Sequence, residues 1–150
     1  MILRIQSIFL LLAALILLSL FLPGVSIATA DVSQSAILPD FLKDGIFNLQ
    51  DSQLLLFLVL AAGIIALVSI FLYKNRRTQM RIVALMMIIS LAIAVIAFWL
   101  YYHDTKNLKE GIVHLSLGIG SPLLSILFGS FANRAIRKDD KLVKSMDRLR

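Results

Sequence analysis

The chain contains no cysteine, which excludes disulfides, thiol catalysis and thiolate metal sites. Charge is scarce as well. Asp, Glu, Lys and Arg make up 16% of residues against 59% apolar, whereas soluble domains run near a quarter charged and about half apolar. The places where charge is missing say more than the total. Residues 5–22, 54–73, 82–100 and 112–131 hold no Asp, Glu, Lys or Arg at all. Proton relays, ion pathways and substrate sites of transporters are marked by ionisable residues within the membrane, so a coupled transporter is not expected. Nothing resembles a nucleophile with its base, a phosphate loop or a carboxylate pair at one face, and Gly118-Ile119-Gly120 is not part of a GxGxxG. The expectation is a protein that is not an enzyme and carries no cofactor.

The residues that are present point to lipid. At 150 residues the length suits one domain, and a domain this small buries only about two-thirds of the surface its unfolded chain exposes. The apolar excess must therefore face hydrocarbon. Four helical spans are read at residues 5–22, 54–73, 82–100 and 112–131, each near the roughly 20 residues that cross a bilayer. The fourth is the most polar, with His114, four serines, three glycines and Pro122. Its hydroxyls and any backbone groups freed by the proline need protein neighbours, so it is predicted to face protein most. The fold class is an all-α integral membrane four-helix bundle.

Lys and Arg number one, one, four, two and seven along the five polar segments. The positive-inside rule then places both termini in the cytoplasm and residues 25–53 outside. Trp99, Tyr101 and Tyr102 fall at the outer interface and Tyr73 at the inner one. Arg4, the first run and Ala28-Thr29-Ala30 imitate a secretory signal. The apolar core spans eighteen residues, however, longer than the usual 7–15, and a retained helix is expected.

Several candidate sites follow. In the outer loop, Pro39-Asp40 could open a short helix carrying Phe41, Leu42, Ile46 and Phe47, resting on the outer leaflet or docking a partner. His103 and His114 lie eleven apart, a separation that matches no local ligand spacing, so no metal is expected. Ser121, Ser125, Gly129 and Asn133 recur every four residues and stack on one helix face, where small residues admit a close neighbour. That neighbour is a helix of the same chain, with Ala62/Ala66 or Ser90/Ala94 as mates, or another subunit. The tail, 132–150, reads as a basic amphipathic helix with an apolar stripe of Ile136, Leu142, Val143, Met146 and Leu149. Arg134, Arg137, Lys138, Lys141, Lys144 and Arg148 would meet anionic headgroups at the cytoplasmic face or a protein partner. No motif points to a specific nucleic acid.

The two ends, from Met1-Ile2-Leu3-Arg4-Ile5-Gln6-Ser7 and from Ala132-Asn133-Arg134-Ala135-Ile136-Arg137-Lys138-Asp139-Asp140-Lys141 onward, resemble a domain-of-unknown-function family of small four-helix membrane proteins of the Bacteroidota. The resemblance implies a bacterial inner membrane and supplies no catalytic residue. The functional expectation is a structural or accessory subunit of a larger membrane complex, with a membrane protein or a second copy as partner. The alternative is a carrier of a small apolar molecule between the helices.

Overall fold

Polar residues at the ends of the apolar runs decide where each helix starts and stops. The computed structural model describes residues 5–30, 44–106 and 113–147. Helix α1 (Ile5–Leu18) tightens into a 3-10 turn at Ser19–Phe21, where the Ser19 hydroxyl donates to the Ile16 carbonyl at 2.7 Å. Pro23 cannot extend it, and Gly24 turns the chain away at φ +108°. Before the second helix, Asn48 and Asp51 cap one another across a 3-10 turn, the Asn48 N–H donating to Asp51 Oδ2 at 2.6 Å. The Ser52 hydroxyl then accepts from the Leu55 N–H and starts α2 (Gln53–Phe71). Asn75 does the same for α3 (Arg76–Thr105), accepting from Thr78. Residues 72–75 are thus the whole turn of an α2–α3 hairpin.

The fourth helix departs from expectation. Helix α4 spans Ser121–Asp147, so the span expected from residue 112 begins nine residues late, and the basic tail continues the same helix. Pro122 explains the start: in a first turn its missing N–H costs nothing, whereas ten residues into a helix it would break a hydrogen bond. The residues ahead of it form a strand at Val113–Leu115 and a 3-10 turn at Leu117–Gly120.

That strand belongs to a sheet the all-α expectation did not include. Strand β1 (Ala28–Ala30) lies between β2 (Ile46–Phe47) and β3 (Val113–Leu115), antiparallel to both. Ala28 is opposite Phe47 on one side and Leu115 on the other. The sheet ties the α1–α2 connection to the α3–α4 connection. Ile46 and Phe47, expected on a short helix, are strand residues, and Gly45 before them turns at φ +77°; residues 39–43 of that helix lie outside the described residues.

The helices close into an antiparallel square in which α1 and α3 each pack against α2 and α4. Buried positions alternate in steps of four and three: Leu55, Val59, Ala62, Ala66 and Ser69 on α2, and Gln79, Val83, Met86, Ser90, Ile93 and Ala97 on α3. This is the spacing of knobs-into-holes bundles. The bundle has a sheet end, where Leu17, Leu49, Leu55 and Ile93 pack beneath the strands, and a tail end, where Leu10, Val83, Ala132 and Ile136 meet.

Candidate functional site

The four-residue stripe of α4 packs inside the chain. Ser121 and Ser125 are buried, and the Ser125 hydroxyl lies 3.1 Å from that of Ser90 on α3. A Cβ added at Gly129 would sit 2.8 Å from Met86 Cε and 3.0 Å from Met87 Cγ. Of the expected mates Ser90 makes contact, while Ala62 and Ala66 are buried on α2. The close approach on α2 is Gly63, where a Cβ would meet Leu18 of α1 at 2.9 Å.

The tail divides into a packed half and a projecting half. Ile136, expected on the free apolar stripe, is fully buried against Leu10 and Val83. Arg76 at the start of α3 donates from Nη1 to the Asp139 carbonyl at 2.8 Å and pins α4 at that level. Arg134, Arg137, Lys138 and Lys141 are exposed, as are Leu142 and Val143. The side chain of Lys144 and all of Arg148 lie outside the described residues.

A polar layer at the tail end was not singled out in the sequence. Gln6 of α1 is 1% exposed and Gln79 of α3 is fully buried. Each precedes a buried core residue, Leu10 or Val83, by one turn on the same face. Gln79 donates from Nε2 to the Ser69 carbonyl at 3.0 Å, satisfying one of the last carbonyls of α2. Its Oε1, both polar atoms of Gln6 and Asn133 Oδ1 are buried without a hydrogen-bond partner. A spacing signal was available: Gln6-Leu10 and Gln79-Val83 continue the buried four-three pattern.

His103 stacks beside Trp99 with ring centroids 5.5 Å apart, and His114 stands exposed on β3. Among the described residues no three of His, Asp and Glu gather as metal ligands would. Two shallow pockets flank the sheet. One, of about 420 Å³, is lined by Gly24, Val25, Ser26 and residues 115–118; the other, of about 230 Å³, by residues 20–23 and 48–50. No titratable side chain lines either.

Fold and surface define a mostly helical four-helix protein, two of whose helices, Gln53–Phe71 and Arg76–His103, are long and apolar enough to cross a membrane. The chain belongs to the DUF4293 family, a domain of unknown function, whose model matches residues 2–149. No curated protein and no solved structure matches it.

Proposed function

We propose that this chain is a multi-pass protein of a bacterial inner membrane, both termini cytoplasmic, acting as a non-enzymatic structural or accessory subunit of a larger membrane complex. One observation carries the membrane part. The bundle is as apolar on the outside as it is within. Large side chains project outward from every helix, among them Ile5, Leu15, Phe57, Ile64, Ile88, Val95, Leu123 and Leu127. Between the helices, small residues, Ala13, Ala14, Ala62, Ala66, Ser69, Ser90, Ser125 and Ala132, alternate with larger ones such as Leu10, Val59, Val83 and Met86. Left in water, each of these side chains, about half exposed, would forgo on the order of 1 kcal/mol. Small residues at the seams are what helices use to pack where lipid competes for apolar surface.

The orientation rests on the Lys and Arg alternation, and the bacterial setting on the resemblance to Bacteroidota membrane proteins. A carrier of an apolar molecule would need room along the serine face of α4. The Ser90–Ser125 contact and the methionines against Gly129 occupy that space, which counts against a carrier there; the same packing takes up the small-residue face inside the chain, so a partner would meet another surface. The partner is a different membrane protein or a second copy, with anionic lipid at the basic end.

The test is native electrophoresis of the tagged chain, expressed at its natural level and extracted in mild detergent. A particle well above the single-chain size is expected, and differently tagged copies separate a homo-oligomer from a mixed complex. Migration as a single chain in every mild detergent would contradict the subunit role.

A further inference from the structure

Three contacts fix how α3 and α4 lie against each other. Arg76 reaches the Asp139 carbonyl, Met86 lies against Gly129, and Ser90 meets Ser125. The two helices run antiparallel, and each step along α3 between these contacts is matched by an equal step back along α4. That register sets Arg81 level with Arg134, and Arg77 level with Lys138, one residue from Arg137. All four arginines are exposed. Residues seven apart lie two turns along one face of a helix. Arg77 therefore continues the stripe of Ala84, and Arg137 that of Ser130, both partly buried beside the α3–α4 seam. Arg81 and Arg134 stand farther round, in line with the exposed Ile88 and Leu127.

Cations brought level on neighbouring helices repel one another unless an anion lies among them. Six of them, Arg76, Arg77, Arg81, Arg134, Arg137 and Lys138, share this end of the seam with two acids, Asp139 and Asp140. A guanidinium presents a planar fork of N–H donors that matches the oxygens of a phosphate. Two turns toward the bundle middle the same stripes carry no charge, and Ile88 and Leu127, also level with each other, project from them. Charge at one height with apolar surface directly above it is the layout of a phospholipid. A soluble phosphate would use the arginines and leave the apolar stripes uncovered. The rest of α4 is placed differently. From Asp139 to Asp147 it runs on past the start of α3, roughly 12 Å at about 1.5 Å a residue, which carries Lys144 beyond this level.

We propose that the tail end of the α3–α4 seam, edged by Arg77, Arg81, Arg134 and Arg137, binds the headgroup of one anionic phospholipid. Arg77 and Arg137 hold the phosphate from either side of the seam, Arg81 and Arg134 flank it, and an acyl chain lies along Ala84, Ser130, Ile88 and Leu127. The site rests on the membrane reading above and narrows its lipid contact from the whole basic end to one seam.

The test is native mass spectrometry of the full chain in neutral detergent, with phosphatidylglycerol or phosphatidylcholine of identical acyl chains added. One phosphatidylglycerol per chain should be retained, on the order of tenfold more tightly than phosphatidylcholine. Arg77→Gln combined with Arg137→Gln should abolish that preference. Both arginines are exposed, so their loss leaves the packed core intact. Lys141→Gln combined with Lys144→Gln removes the same charge farther along α4 and should leave most of the preference. Equal losses in the two variants would mean diffuse attraction to net charge and overturn the site. Displacement of the lipid by inorganic phosphate at equal concentration would overturn it too. Failure of the membrane reading is separable: a chain that washes out of isolated membranes at alkaline pH refutes that reading, whereas one that stays there but shows no phosphatidylglycerol preference refutes only the site.

Discussion

Gly129 sets how near α3 and α4 come, because Met86 and Met87 already fill the space its side chain would take. Gly129→Leu should lower thermal stability in micelles by the equivalent of about 1–3 kcal/mol, the usual cost of overpacking. Leu127→Ala, on the outward face, should cost less, and equal losses would remove the case for a tight seam there. The stripe was legible because small residues at steps of four mark a face whatever lies against it. The hydrogen bond between Ser90 and Ser125 was legible only as a possible mate, since register between distant helices is not written in local spacing. Gln6 and Gln79 escaped notice for a different reason. Each stands at the polar edge of an apolar run, where an amide looks like ordinary surface until the four-three pattern is carried one turn further.

At the scale of elements, three helices were readable from long apolar runs, and α2 and α3 begin at Asn and Ser caps that local chemistry demands. The sheet was not readable. Two- and three-residue strands carry no period, and their pairing joins segments far apart in sequence. The fourth helix was misplaced at its start because apolar content hid the stop that Pro122 imposes. Its place in the first turn makes a prediction: Pro122→Ala should change thermal stability little, against about 3 kcal/mol for relieving a proline inside a helix. A large gain would return the helix start to the residues before it. The tail adds a second prediction. A peptide of residues 132–150 carries seven basic residues against Asp139, Asp140 and Asp147, and each Lys or Arg near an anionic surface contributes about 1 kcal/mol. It should be largely unfolded in buffer, become helical on anionic vesicles, and release in high salt. In the full chain Ile136 belongs to the core, whereas in the peptide it is free to meet lipid, so the peptide's salt-insensitive binding sets an upper limit for the tail in the chain. Helix in the presence of neutral vesicles alone would contradict an electrostatic contact.

For the whole molecule, α1 is a wall of the bundle. Leu10, Ala13, Ala14 and Leu17 are fully buried against α2 and α4, so its removal at the Ala28-Thr29-Ala30 site would uncover those faces and take β1 out of the sheet centre. The intact mass of the purified protein should therefore include residues 1–30; a chain starting at Asp31 would contradict a four-helix assembly. The central claim is that four helices cross the bilayer with the tail end in the cytoplasm. The absence of cysteine permits a direct measurement, in which single cysteines are placed at Gln50 and Thr105 near the sheet end and at Arg77 and Ser145 near the tail end. In intact spheroplasts an impermeant thiol reagent should label the first pair and reach the second only after lysis, whereas labelling of Ser145 from outside would contradict the account.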